Sequence, residues 1–162
     1  MNPDEPVRWA LAGYGAGGRT FHAPLIRSAA GLDLVAVVTG SPDRQAQVRA
    51  DDPAATTVPA LEELPALGVV GVTITTPSAT HAPLAHQALD LGLHVVVDKP
   101  FALNGAAAAE LVAHAERAGR VLVPYQNRRW DSDLLTLLRL LEDGELGRGH
   151  RFVSRIDRCR PV

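Results

Sequence analysis

A chain of 162 residues is long enough for one ordinary domain, and its formal net charge of −2 gives no reason to expect nucleic acid or an anionic membrane as a partner. Hydrophobic residues make up 46% of the sequence, which is ample for a core, yet no apolar run is long enough to span a bilayer. The single cysteine, Cys159, excludes an intrachain disulfide, and the acidic N-terminus lacks the features of a signal peptide, so we expect a cytoplasmic protein.

The first segment, residues 7–27, begins with a short apolar run that is typical of a buried strand. The pattern Gly13-x-Gly15-x-x-Gly18 follows, and then a stretch able to form a helix, which is the order of a dinucleotide-binding fingerprint. In that fingerprint the first glycine makes the tight turn, the second lets the backbone approach a pyrophosphate, and the third lets the helix pack against the strand. The predicted cofactor contacts in this turn are Gly13, Tyr14, Gly15, Ala16, Gly17 and Gly18.

An alternative interpretation of this turn is that its glycines only join a strand to a helix, because a bare glycine pattern is weak evidence. The position of the pattern, directly after a strand and before a helix, favours the dinucleotide interpretation. Pro24 interrupts the helical segment. We therefore expect a helix begun at Gly17 to end or kink there, unless the regular helix starts at Ala23 with Pro24 in its first turn.

Strands and helices then alternate up to residue 124. Apolar runs predict strands at 34–38, 56–58, 69–75, 94–97 and 120–123, and helical patterns lie at 43–50, 61–64, 81–91 and between Asn104 and Gly119. The strands are continuously apolar rather than alternating, which indicates a parallel sheet covered on both faces. We therefore predict an α/β fold for residues 1–124, a Rossmann-type doubly wound parallel sheet with the strand order 3-2-1-4-5-6.

The remaining residues differ in character from the first 124. A polar cluster opens residues 125–148, and a helix from Asp131 to Glu142 follows, with a leucine stripe wider than one packing face needs. Residues 149–162 contain the alternating pattern of a half-buried strand, from His150 to Asp157. The sequence thus predicts a connecting segment at 125–148 and a lone strand within 149–162.

Polar residues follow the fourth and fifth predicted strands, at the edge of a parallel sheet where ligands bind. Lys99 is the sharpest candidate, because an amine at this edge can relay a proton from a hydroxyl group or anchor a substrate. Taken alone, Lys99 has the alternative interpretation of a lysine in an exposed turn. His81 is expected mainly to begin a helix, and since His86 lies on a different side of that helix, no metal pair is predicted. Four further histidines are given no role: His22, His94, His114 and His150.

The end of the second predicted strand, Val38-Thr39-Gly40-Ser41, lacks the acidic residue with which NAD enzymes hold the ribose hydroxyl groups. Thr39 and Ser41 can donate hydrogen bonds to a 2′-phosphate instead, and Arg44 is close enough in sequence to neutralise its charge. The sequence therefore predicts NADP as the cofactor, with NAD as the less favoured alternative.

Four motifs occur together in a recognisable order: Gly13-Tyr14-Gly15-x-Gly17-Gly18-Arg19, Thr76-Pro77-x-x-x-His81, Asp98-Lys99-Pro100 and Asn127-Arg128-Arg129-Trp130-Asp131-Ser132-Asp133. With them the sequence resembles the glucose–fructose oxidoreductase and inositol dehydrogenase family (Gfo/Idh/MocA), and looks most like its NADP-dependent scyllo-inositol dehydrogenase branch. The resemblance implies hydride transfer between NADP(H) and a polyol or sugar hydroxyl. It also implies that Lys99 is catalytic and that the Lys99–Pro100 peptide bond is cis.

The resemblance assigns further residues to the site. It implies that the segment after the fourth strand contacts the nicotinamide ribose and that the cluster after residue 126 lines the nicotinamide and substrate side. A polar joint between domains is the alternative interpretation of that cluster. The cofactor contacts predicted in this way are Thr75, Thr76, Pro77, Ser78, His81, Asp98, Lys99, Pro100, Asn127, Arg128 and Trp130.

The family that the sequence resembles has a second, larger domain that binds substrate, and here only its first strand, within 149–162, is represented. We therefore expect the chain alone to bind cofactor and to be weakly active or inactive. A non-catalytic dinucleotide-binding or interaction module is the alternative function. Since a lone strand and a wide leucine stripe both need cover, the sequence also predicts that the tail is either disordered or part of a homodimer interface.

Overall fold

The structure is a computed structural model that describes residues 5–155 and residue 157. The predictions that concern Ile156 and Cys159 lie outside these described residues. The contacts divide the chain into two compact units, one up to Tyr125 and one from Gln126 onwards.

The first unit is built on six strands that form one parallel sheet. Its strands are β1 (Val7–Ala12), β2 (Leu32–Val38), β3 (Thr56–Val58), β4 (Gly71–Ile74), β5 (His94–Val97) and β6 (Leu122–Pro124), and its α-helices are α1 (Ala23–Ser28), α2 (Pro42–Asp51), α3 (His81–Asp90) and α4 (Gly105–Ala118). The order across the sheet is β3-β2-β1-β4-β5-β6, and all five pairings are parallel. This confirms the predicted Rossmann-type fold and strand order.

The register of the central strands fixes where their carboxyl ends emerge. Ala12, the last residue of β1, lies opposite Val38 of β2 and Ile74 of β4, and Ile74 in turn lies opposite Val97 of β5. The segments that follow these four strands therefore begin side by side at one edge of the sheet. This is the edge at which open α/β sheets bind their ligands.

Helices cover both faces of the sheet, which explains the continuously apolar strands. One buried cluster includes Val72, Val95 and Leu111, and the other includes Leu11 and Val37. Each of these side chains is at most 1% exposed. Ala10 of β1 belongs to the first cluster and its neighbour Leu11 to the second, so neighbouring residues of one strand reach opposite cores.

The helix ends follow the local sequence signals. α1 begins at Ala23 with Pro24 in its first turn, which is the second of the two alternatives that the sequence left open. The five residues before it form a π-helical turn (Gly18–His22). The side chain of Asn104 caps α4 by accepting a hydrogen bond from the Ala107 N–H at 2.9 Å. Gly119 ends that helix with a φ of +62°.

The second unit contains a 3₁₀ helix (Asn127–Trp130) and α5 (Ser132–Glu142). The prediction of a strand from His150 is wrong for the described residues, because residues 150–155 pair with no other strand. A strand needs a hydrogen-bonded neighbour, which an alternating pattern does not supply. The leucine stripe of α5 is open to solvent in this chain, with Leu135 43% and Leu138 45% exposed. The homodimer through this end stays a prediction.

No helix within residues 5–155 is both long enough and apolar enough to cross a membrane.

Candidate functional site

The glycine-rich turn after β1 is fixed by close backbone packing on one side only. Gly13 has a φ of +92°, a value that favours glycine, and its N–H donates to a β2 carbonyl at 3.0 Å. A Cβ at Gly18 would overlap the carbonyl oxygen of Gly13 and lie 2.7 Å from Oγ1 of Thr75. A Cβ at Gly15 would meet only the Arg44 guanidinium, at 3.8 Å. The turn is therefore closed at Gly18 and open to a ligand at Gly15.

The side chain of Tyr14 anchors this turn from below. It is 1% exposed, and its hydroxyl donates to Oδ2 of Asp51 at 3.1 Å. Arg19 donates to both oxygens of Asp51, at 2.6 and 3.0 Å. Burial and the nearby carboxylate raise the pKa of Tyr14, while the Arg19 hydrogen bond lowers the pKa of Asp51. This network ties the glycine-rich turn to the end of α2, so Tyr14 offers a ligand its backbone and not its side chain.

An open cavity of about 690 Å³ lies between the glycine-rich turn and the start of α2. Its lining combines the predicted pyrophosphate contacts with the predicted 2′-phosphate contacts. The lining residues are Tyr14, Gly15, Ala16, Arg19, Thr20, Ser41, Asp43, Arg44 and Gln47.

The three residues predicted to select the 2′-phosphate are not equally accessible. Ser41 and Arg44 line the cavity, and Oγ of Ser41 caps α2 by accepting the Arg44 N–H at 3.5 Å. Thr39 is 7% exposed, lies outside the cavity lining, and accepts the Ser41 N–H on its Oγ1 at 3.4 Å. Thr39 therefore supports the loop, whereas Ser41 and Arg44 face the space that a ligand can occupy.

The segment after β4 packs against the glycine-rich turn. The Thr75 hydroxyl is 2.9 Å from the Gly13 carbonyl oxygen, to which it donates, and the Thr75 N–H donates to the Ala12 carbonyl at 2.8 Å. Oγ1 of Thr76 accepts the Thr80 hydroxyl at 2.7 Å. The next residues, Pro77 and Ser78, lead into a short 3₁₀ helix, where Pro77 is exposed and Ser78 is half-buried. The hydroxyl of Thr75 is thus used to hold the turn.

Lys99 is exposed in the turn after β5, and it is the only lysine in the sequence. The Lys99–Pro100 peptide bond is cis, as the resemblance implied. The N–H of Lys99 donates to Oδ1 of Asp98 at 2.7 Å. His81 begins α3 beneath this turn, with Nδ1 2.7 Å from the Pro100 carbonyl oxygen and Nε2 2.7 Å from the Thr76 carbonyl oxygen. Both ring nitrogens of His81 face the backbone, so its predicted contact with a cofactor has no nitrogen to make it.

Sequence reasoning gave His22 no role, and the structure places it against Asp98. His22 ends the π-helical turn, and its side chain is 5% exposed, with Nε2 3.6 Å from Oδ2 of Asp98. That separation is too long for a hydrogen bond, and it is a charge contact only when the ring is protonated. The ring also packs on Tyr125, with 4.2 Å between ring centroids. Burial lowers the pKa of His22, and the Asp98 carboxylate opposes that effect. The only sequence signal was its place four residues after Gly18, one helical turn further on.

Three of the predicted site residues belong to the second unit. Asn127, Arg128 and Trp130 lie in its 3₁₀ helix, where Trp130 is 72% exposed. Nη1 of Arg128 donates to Oδ2 of Asp131 at 2.8 Å. Their contacts with cofactor and substrate stay predictions.

The described residues contain no group of three or more His, Cys, Asp or Glu side chains that could hold a metal ion. A doubly wound parallel sheet with a glycine-rich turn after its first strand defines a dinucleotide-binding domain. The open side of Gly15 leaves room for the close approach that a pyrophosphate needs.

The chain belongs to the Gfo/Idh/MocA family, whose model, described as an oxidoreductase family with an NAD-binding Rossmann fold, matches residues 7–126. The cofactor that this site fits is therefore a nicotinamide dinucleotide, and the substrate class of such oxidoreductases is a small molecule.

Individual relatives agree with the family. The uncharacterized oxidoreductase YdgJ of Escherichia coli is 47% identical over 158 residues, which are 96% of this chain and 44% of the relative. The scyllo-inositol 2-dehydrogenase (NADP(+)) IolW of Bacillus subtilis is 32% identical over 160 residues, 97% of this chain and 43% of the relative. A crystal structure of a protein from Klebsiella pneumoniae aligns with a TM-score of 0.82 at 46% identity, covering 89% of this chain and 41% of that one. The chain thus spans less than half the length of these relatives.

Proposed function

We propose that this chain is the NADP-binding domain of an oxidoreductase that transfers a hydride between NADP(H) and a hydroxyl group of a polyol or sugar. The observation that carries the proposal is the shared edge of the sheet. The glycine-rich turn, whose open side faces Arg44, follows β1, and the exposed Lys99 follows β5. The ends of β1 and β5 lie in register through β4. The relative IolW, whose name states both NADP(+) and scyllo-inositol, supports the choice of cofactor and substrate class.

The cofactor is held in this proposal by two walls of the cavity. The backbone N–H groups of Tyr14 to Gly18 bind the pyrophosphate at the start of the helical segment, because unpaired amides and the helix dipole attract an anion there. Ser41 and Arg44 bind the 2′-phosphate, one through its hydroxyl and the other through its guanidinium. The nicotinamide ribose lies against the segment that follows β4 and the turn that follows β5. The residues assigned to that contact are Thr75, Thr76, Pro77, Ser78, Asp98, Lys99 and Pro100.

Lys99 handles the proton of the reaction. The cofactor, when bound, supplies the hydride chemistry. Oxidation of an alcohol also releases the hydroxyl proton, and Lys99 binds the substrate oxygen and relays that proton to solvent, or returns it during reduction. The hydrogen bond to Asp98 fixes the backbone of Lys99 and leaves its exposed side chain free to reach a substrate.

The preference for NADP(H) is predicted to depend on Arg44. The wild-type chain should bind NADP(H) at least about tenfold more tightly than NAD(H), or ~1.4 kcal/mol, because a guanidinium and a hydroxyl replace the acidic residue that holds the ribose of NAD. Arg44→Ala should erase this preference by weakening NADP(H) and leaving NAD(H) binding unchanged. Calorimetric titration with each dinucleotide measures both affinities.

Arg49→Ala is the matched control for Arg44→Ala. Arg49 is exposed on the same helix, α2, and lies outside the lining of the cavity. This variant should keep the full preference for NADP(H). Equal or tighter binding of NAD(H) by the wild-type chain would refute the assignment of NADP.

Turnover by the chain alone is predicted to be slow. Lys99 cannot orient a substrate by itself, and the positioning that the rest of a full-length relative supplies is lost in this chain. Lost positioning costs orders of magnitude in rate. Steady-state assays with scyllo-inositol, myo-inositol and glucose at saturating NADP⁺ measure the rate. A turnover near the enzyme median of ~10 s⁻¹ would refute this prediction. The alternative function, a non-catalytic binding module, predicts no turnover even when a substrate domain is fused to the chain.

A further inference from the structure

Two buried histidines lie on opposite sides of the turn that carries Lys99. Among the described residues, the buried polar side chains are His22, Thr39, Thr73 and His81. Buried polar groups are costly unless they are paired, so each of these needs a structural partner. His81 finds a partner at the turn after β5, and His22 lies against the Asp98 carboxylate of that same turn.

His81 holds the turn from the side of β4. Its ring lies between two carbonyl oxygens, that of Thr76 after β4 and that of Pro100 after β5, each 2.7 Å away. The ring is 2% exposed, so water does not compete for these contacts. His81 thus links the two segments that flank the position proposed for the nicotinamide.

His22 holds the turn from the side of the glycine-rich segment, through Asp98. One oxygen of the Asp98 carboxylate accepts the Lys99 N–H at 2.7 Å, and the other lies 3.6 Å from Nε2 of His22. A Cβ at Gly17 would lie 3.5 Å from that second oxygen, so the carboxylate packs directly under the glycine-rich turn. The contacts therefore run without a gap from His22 through Asp98 to the backbone of Lys99.

We propose that His22 and His81 are positioning residues that clamp the Asp98–Pro100 turn and thereby set the location of Lys99. The inference rests on the proposed function, in which Lys99 handles the proton. Neither histidine belongs to the cavity that faces the glycine-rich turn. Loss of either contact should therefore change the surroundings of Lys99 much more than it changes cofactor affinity.

The clamp also makes the surroundings of Lys99 depend on pH. The titratable groups that face His22 are Asp98, after β5, and Tyr125, after β6. Burial holds the pKa of His22 below 6.5, so its ring gains a proton only as the pH falls below that value. The new positive charge next to Asp98 then alters the electrostatic potential at the Asp98–Pro100 turn.

Selective ¹³C labelling of lysine tests the clamp, because the chain has one lysine and gives one Hε–Cε correlation in an NMR spectrum. His22→Gln and His81→Gln should each move this signal by several linewidths and leave the Kd for NADPH within about threefold of wild type. In the wild type the signal should show a step below pH 6.5 that is absent from His22→Gln. His114→Gln is the control, because His114 is hydrogen-bonded to His86 and contacts Asp90 in the α3–α4 pair, outside the turn.

The outcomes separate this inference from the proposed function. A Lys99 signal that neither variant moves, in chains that still bind NADPH, overturns the clamp. Failure of the wild type to bind NADPH overturns the proposed function, while shifts in the Lys99 signal still support the clamp. If His22→Gln does not fold, the Lys99 signal of Asp98→Asn and the pH titration of the wild type test the role of His22 instead. The absence of any step below pH 6.5 in the wild type contradicts that role.

Discussion

Gly18→Ala is expected to abolish measurable cofactor binding and to destabilise the fold by about 1–3 kcal/mol, the usual cost of forcing an extra carbon into a packed site. The new Cβ would overlap the Gly13 carbonyl oxygen and lie 2.7 Å from Oγ1 of Thr75. Neither neighbour can yield cheaply, since one is backbone and the other is hydrogen-bonded to the turn. The turn would be displaced instead, and in a site that depends on positioning a displacement on the order of 1 Å costs about 100-fold in rate.

Gly15→Ala is the matched comparison for Gly18→Ala. Its Cβ meets only the flexible end of Arg44, at 3.8 Å, so urea unfolding should give a stability within about 0.5 kcal/mol of wild type. Its affinity for NADPH should nevertheless fall, because the methyl group occupies the side from which a pyrophosphate approaches. Wild-type affinity in Gly18→Ala, or equal destabilisation by both substitutions, would contradict the geometry of the turn.

Leu111→Ala is expected to cost about 2–5 kcal/mol of unfolding free energy, because it deletes a fully buried side chain and leaves a cavity. Leu111 lies on α4 and is 0% exposed in the cluster that packs against β4 and β5. Val112, the next residue of the same helix, is 45% exposed. Val112→Ala should therefore change stability by less than about 0.5 kcal/mol. Urea unfolding measures both, and equal effects would mean that α4 does not cover the sheet in this orientation.

The fold could be predicted because its signals are local. The continuously apolar strands indicated a parallel sheet covered on both faces, and the glycine-rich turn after the first strand indicated the strand order that was found. Pro24 and Asn104 marked helix starts through their own backbone chemistry. The cis peptide bond at Lys99–Pro100 came from the family resemblance, not from a local signal.

The supporting contacts of the site could not be predicted, because they join residues far apart in sequence. Tyr14 and Asp51 are 37 positions apart, and neither residue type signals the other. His22 and Asp98 meet only because β1 and β5 are both neighbours of β4. The lone strand from His150 failed for a related reason, since an alternating pattern specifies faces but not a partner for hydrogen bonds.

Calorimetric titration of the wild-type chain with NADPH, repeated with Gly15→Ala, tests the central claim most directly. The account predicts saturable binding at one site per chain, with tighter binding of NADPH than of NADH and weaker binding of NADPH by the variant. Absence of binding of both NADPH and NADH by the folded wild-type chain, or an unchanged affinity for NADPH in Gly15→Ala, would contradict it.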